Sequence, residues 1–166
     1  MSALSFVDLR GQLRPPVEPA AVGCFISLLR GLYRVRADAP FWPLARAVTR
    51  DLRQAARRGD PATGLLLVER LVRLYGLRWA RQVATVGVSN IGPVALPAAY
   101  GPFVLQDLFA ASSLNGLGVG CLALATTWQA CLRATFVYPD PGLPGPAAAA
   151  LADRAMATLR AAGGEA

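Results

Sequence analysis

The stretch ATVGVSNIGPV, Ala84 to Val94, decides how the fold is read. It opens as an apolar, strand-like run and breaks on Ser89, Asn90 and Gly92, residue types that end strands through side-chain hydrogen bonds and glycine's backbone freedom. Thr85 to Val88 is therefore predicted as strand and Ser89 to Gly101 as an irregular segment rich in Pro and Gly. The chain around it contains no histidine.

Working outward, the same punctuation recurs. Ser5 to Arg10 and Cys24 to Leu29, the latter bounded by Gly23 and Gly31, read as buried or half-buried strands, with a proline-rich loop from Gly11 to Pro19 between them. From Pro40 to Arg58 the period turns helical: Phe41, Leu44, Val48, Leu52 and Ala55 share a face, with Asp38 as the expected cap and Gly59 as the stop. The other face carries Arg46, Arg50, Arg53 and Arg57. Asp60 and Pro61 open a second predicted helix whose Leu65, Val68, Val72, Tyr75 and Trp79 line one side, with Arg70, Arg73 and Arg81 off it.

Beyond the opening stretch, Phe103 to Phe109 is predicted as a strand. Leu117 to Ala125 and Gln129 to Tyr138 are predicted as an antiparallel pair about a turn at Thr126 to Trp128. The breaker cluster Asp140 to Pro146 introduces a last helix, Ala147 to Ala162, with a narrow stripe of Ala148, Leu151, Ala155 and Leu159 suited to lying flat on a sheet. The expected architecture is α/β: one lobe, residues 1–166, with a mixed β-sheet packed by helices.

Composition narrows the function. The chain has 166 residues, 54% hydrophobic and 16% charged. That charge fraction is well below the roughly 25% usual in soluble domains, so an apolar surface awaiting a partner, a membrane or a second half is expected. All 17 basic residues are arginine, and they are concentrated before Val83, with 14 arginines against 6 acids. No aromatic residues interleave the arginine stripe and no groove-reading motif accompanies it, so it reads as a solvated face and nucleic acid is not an expected partner.

Val83 to Leu132 holds one charge, Asp107, but Pro93, Pro97 and Pro102 interrupt it. Its longest apolar run falls short of the roughly 20 residues of a spanning helix. The N-terminus lacks a basic and then apolar leader pattern, so a cytoplasmic location is expected.

Candidate chemistry is sparse. Without histidine there is no histidine base, no His-dependent triad and no histidine metal site within the chain taken alone. Cys24, Cys121 and Cys131 fall in apolar runs at unrelated spacings, and they are expected to be buried free thiols rather than a disulfide or zinc framework. GLGVGC at Gly116 to Cys121 lacks the third glycine of a dinucleotide fingerprint and falls in a predicted strand. Asp107 is expected to face solvent or to pair with an arginine.

The ordered series VDLR (Val7 to Arg10), the apolar strand after Gly23, FWPLARAV (Phe41 to Val48), VSNIGPV (Val88 to Val94) and FVYPDPGL (Phe136 to Leu143) resembles the C-terminal half of chloramphenicol-acetyltransferase-like acyltransferases. Within that superfamily it is most similar to the polyketide-associated acyltransferases, then to condensation domains and wax ester synthases. The resemblance implies one lobe of a two-lobed enzyme whose HHxxxDG motif lies in the other, N-terminal lobe. It therefore implies no catalytic residue in this chain, no metal and no covalently bound cofactor. A CoA or phosphopantetheine thioester would be substrate. Ser89, Asn90 and Gly92 would lie near the channel and the lobe interface, where hydroxyl and amide groups can hydrogen-bond a pantetheine arm or a neighbouring segment. A turn that merely ends a strand remains the other reading of those residues.

Two functions are compatible with these residues. The first is a lobe or subunit of an acyltransferase that moves an acyl group from a CoA or carrier-protein thioester to a hydroxyl or amine and is not catalytic alone. Its expected partners are an HHxxxDG lobe and an acyl carrier protein. The alternative is a stand-alone, non-catalytic interaction module, paired with a second copy of itself. A third reading, peripheral membrane binding through the arginine-bearing helices, predicts salt-sensitive attachment to anionic vesicles.

Overall fold

Short apolar runs at strand spacing and one long amphipathic stretch build a sheet covered by helices. The computed structural model describes residues 1–18, 20–64, 66, 83–113 and 118–164. Strand β1 is Ser2–Asp8, followed by a 3-10 turn at Arg10–Gln12, β2 at Ile26–Leu32 and helix α1 at Phe41–Arg58. Then come β3 at Val86–Pro93, a small hairpin of β4 (Ala99–Tyr100) and β5 (Phe103–Val104), β6 at Leu122–Trp128, β7 at Cys131–Val137 and helix α2 at Gly145–Gly164.

Five strands form one sheet in the order β2-β1-β3-β6-β7. The outer pairs β1–β2 and β6–β7 are antiparallel, and β3 runs parallel to both β1 and β6. The mixed sheet packed by helices is the expected fold class.

Register aligns the core. Leu4 stands beside Gly87, which stands beside Leu122, and paired residues share a face. Leu4, Ala84 and Val119 are buried together, with Phe6 and Leu28 packed against them. Along β6 the alternation is strict: Leu122, Leu124, Thr126 and Trp128 are buried while the residues between are half-buried. Gly87 is where this packing is tightest, because a Cβ there would lie 2.9 Å from Leu122 Cδ1 and 3.2 Å from Val119 Cγ1.

The VDLR segment turns a corner. Leu9 is fully buried and its N–H donates to the Phe25 carbonyl at 2.7 Å. The Arg10 N–H donates to Asp8 Oδ1 at 3.0 Å, and the guanidinium sits 4.9 Å from the centre of the Phe25 ring.

Helix α1 starts one residue after Pro40, which serves as N-cap without any side-chain cap bond. Asp38 is not the cap: the helix begins at Phe41, two residues too late for it, and its carboxylate is bonded to Arg36 at 3.0 and 3.1 Å. Gly59 closes the helix as expected, at φ 77°, its N–H bonded to the Ala55 and Ala56 carbonyls. Residues 60–64 are again helical, and Ser27 Oγ donates to the Pro61 carbonyl at 2.6 Å, tying this turn to β2. Leu65, Val68, Val72, Tyr75 and Trp79, with Arg70, Arg73 and Arg81, lie outside the described residues. Across an apolar cleft of about 250 Å³, Leu44, Val48 and Leu52 of α1 face Ala3, Ser5, Val86 and Val88 of the sheet.

Helix α2 lies against α1. It buries Ala148 and Ala162, whereas Leu151 and Leu159 of the expected stripe are exposed. Ala155 of that stripe is half-buried, as are Ala152 and Met156. The predicted hairpin exists but is shifted: the turn is Gln129–Ala130, not Thr126 to Trp128, and β6 runs on through Trp128. Phe103 to Phe109 is a strand only at Phe103–Val104. Among the described residues, no helix is long and apolar enough to cross a membrane.

Replacing Gly87 by Val is expected to destabilise the fold by about 1–3 kcal/mol through overpacking against Leu122 and Val119. Gly11→Ala, where nothing lies within 4 Å of a new Cβ, is expected to stay within about 0.5 kcal/mol of the parent. Urea unfolding of both variants checks the difference.

Candidate functional site

The sheet forks at Ser89. Strands β1 and β3 are paired only from Ala3/Val86 to Ser5/Val88. Past that point β1 continues beside β2 as far as Asp8, while β3 continues beside β6 as far as Pro93. The strand that is central at Val88 therefore has one neighbour from Ser89 onward.

The residues just past the fork bend the strand. Asn90 pairs with Ala125 and Gly92 with Thr126, so Ile91 is an extra residue, a β-bulge. Gly92 sits at φ 79°, a conformation glycine takes without steric cost, and its N–H donates to Asn90 Oδ1 at 2.9 Å. The ladder then resumes, with the Val94 N–H donating to the Thr127 carbonyl at 2.8 Å. The Asx bond expected of a strand end is present, but it shapes a bulge inside a strand that runs on to Pro93. Ser89 and Asn90 are thus part of β3, not of an irregular segment.

The structure brings Ser89, Asn90 and Gly92 together on one strand. Ser89 is half-buried beside Leu124, and its hydroxyl has no hydrogen bond among the described residues. Asn90 is exposed, and because its Oδ1 is occupied by the bulge, its Nδ2 hydrogens are what it can offer. Ile91, at the bulge, is 54% exposed. Thr126, opposite Gly92, has a buried hydroxyl with no partner among the described residues.

Two side chains anchor the segment after β3. The indole N–H of Trp128 donates to the Leu96 carbonyl at 3.0 Å, and Arg133 Nε lies 2.8 and 2.9 Å from the two oxygens of Asp107. Between these anchors the β4–β5 hairpin stands out, closed by the Leu105 N–H to the Ala98 carbonyl at 2.7 Å and turned at Gly101, φ 60°. Its apolar side chains are bare: Phe103 is 75% exposed, with Val104, Tyr100 and, further on, Phe109 also exposed.

Asp107 pairs with an arginine, one of its two expected placements, although it lies outside any strand. The Arg133 guanidinium holds its carboxyl below the usual range, with desolvation opposing and the Leu108 N–H assisting. Cys121 is buried, and burial pushes its thiol up, so it stays protonated at neutral pH. Cys24 and Cys131 are exposed, against the expectation of burial, because the apolar neighbours that suggested a core position are themselves at the sheet margin.

Chemically, the fork offers neutral hydrogen-bonding groups and apolar surface. Ser89 and Asn90 can bind and orient a polar chain; among the described residues neither is hydrogen-bonded to a proton acceptor that would activate it. Sequence reading missed Ile91 as the bulged residue, Thr126 beside it and the Trp128 and Arg133 anchors. Of these, only the arginine partner of Asp107 left a signal, as a lone charge in a long uncharged stretch.

The sheet gives a mixed α/β fold, and a family model gives the class. The match covers residues 1–116, and the family is described as the phthiocerol/phthiodiolone dimycocerosyl transferase C-terminus. The chain belongs to that family, the C-terminal part of an acyltransferase. No curated protein and no solved structure matches the chain. Strands β6 and β7 and helix α2 fall beyond the matched residues yet complete the sheet through β3.

Gly92→Ala is expected to cost about 1–2 kcal/mol, the penalty of a Cβ in the left-handed region, readable by urea unfolding. For Asp107, a carboxyl whose pKa is lowered on folding stabilises the fold above its unfolded pKa of about 3.9 and loses that contribution as pH falls through the lower folded value. Asp107→Asn is therefore expected to be less stable than the parent at neutral pH. The gap should close as pH falls below about 4, and a series of denaturant midpoints against pH measures it.

Proposed function

We propose that this lobe completes an acyltransferase by docking, through the β3 bulge and the β4–β5 hairpin, against a lobe that carries the catalytic HHxxxDG motif. The observation that carries the reading is the run of bare apolar side chains leaving the fork, Ile91, Tyr100, Phe103 and Val104, anchored at both ends and so held ready for a partner. Family membership supports the reaction class, and the absence of histidine requires that the base come from elsewhere.

In the assembled enzyme a histidine of the other lobe takes the proton from an acceptor hydroxyl or amine. The acceptor attacks the thioester carbonyl, the carbon–sulfur bond breaks, and the thiol of CoA or of a carrier protein leaves with that proton. This chain supplies a wall of the channel. Asn90 Nδ2 and the Ser89 hydroxyl orient the pantetheine arm, and the apolar hairpin excludes water from the junction.

Co-expression with an HHxxxDG lobe from the same family tests the reading. A stable complex that transfers an acyl group from an acyl-CoA supports it. A monodisperse monomer that forms no complex contradicts it, and a stable homodimer without activity favours the stand-alone module instead. Tyr100→Ser with Phe103→Ser, both at exposed positions, is expected to leave the fold intact and weaken lobe association by about tenfold, as hot-spot aromatic losses do.

A further inference from the structure

Among the described residues four arginines are ion-paired and nine are not, and four of those nine share one helix face. Arg10, Arg36, Arg58 and Arg133 each meet a carboxylate, at Asp8, Asp38, Asp60 and Asp107. Arg46, Arg50, Arg53 and Arg57 on α1 have no ion-pair partner among the described residues, and they border one shallow surface depression with Thr49 and Gln54. They recur at i, i+4, i+7 and i+11, a single helix face about 17 Å long at 1.5 Å per residue. Like charges at this spacing destabilise a helix, and the only acid of α1, Asp51, lies on another side, near Tyr33, whose hydroxyl is pushed up by burial first and by this carboxylate second. The stripe is an uncompensated local cost.

We propose that the arginine face of α1 is a docking surface for an acidic α-helix of a protein partner, separate from the fork and its hairpin. Guanidinium groups bind carboxylates as bidentate forks, and carboxylates at the same helical spacing on a facing helix meet all four in register. A membrane is disfavoured by the placement of the apolar side: Leu44, Val48 and Leu52 face the sheet across the cleft, whereas an interfacial helix directs that side into the lipid. A nucleic acid is disfavoured because no aromatic side chain stands among the arginines to stack on bases. The proposal stands apart from the acyl-transfer reading, and each can fail without the other.

The test uses the full chain and a synthetic helical peptide with glutamates at i, i+4, i+7 and i+11, followed by fluorescence anisotropy. Binding is expected to weaken with salt and to fall about tenfold in Arg50→Gln with Arg53→Gln, from two lost charge pairs. Arg154→Gln with Arg160→Gln removes the same charge from exposed positions on α2 and is expected to change affinity less than about twofold. Circular dichroism checks folding, and Arg46→Gln with Arg57→Gln replaces the first pair should that pair unfold. Equal losses in the stripe and control variants, equal binding of a peptide with the same glutamates scattered around the helix, or tighter binding to phosphatidylserine vesicles or duplex DNA than to the peptide would each overturn it.

Discussion

Everything in this lobe depends on β3 pairing on both sides over two residues. Gly87 and Val88 pair with both β1 and β6, and without them the sheet is two unconnected pairs, β1–β2 and β6–β7. Parallel neighbours cannot be joined by a tight turn, so long connections, α1 among them, carry the chain between them and cover the sheet. The close approach at Gly87, and the Leu4–Gly87–Leu122 row built on it, is the packing consequence of the same pairing.

The fork is the other consequence. Once β1 and β3 part after Ser5 and Val88, β3 runs on beside β6 alone through the bulge at Ile91, and it carries an asparagine amide and a half-buried serine hydroxyl past the fork. The hairpin beyond it is tied to the sheet on both sides, by Trp128 of β6 through Leu96 and by Arg133 of β7 through Asp107, while its own apolar side chains stay exposed. A geometry that holds apolar side chains away from their own core is sensible for a chain whose family is the C-terminal part of a larger transferase.

Much of this was legible in the sequence, and the exceptions have physical reasons. Gly59 announced the end of α1, and the change from strand to helix spacing announced the α/β class. A one-residue bulge breaks the period of two in the same way that a strand end does, so SNIG read as a terminus. The hairpin turn at Gln129–Ala130 takes positive φ of 47° and 58° without the Asn-Gly marker such turns favour, and its position slipped accordingly. Asp38 is not the cap because the helix starts at Phe41, which puts Pro40 at the cap position. Cys24 and Cys131 could not be placed because local apolarity does not distinguish the middle of a sheet from its rim.

Amide hydrogen exchange, followed residue by residue in the free chain and after adding an HHxxxDG lobe, tests the central claim most directly. In the free chain Gly87 and Val88 should be among the slowest amides and residues 95–104 among the fastest. Adding the lobe should slow residues 91–104 by at least about tenfold and leave β6 unchanged. Protection confined to the outer edge of β2, or complex formation with no change at 91–104, would contradict it.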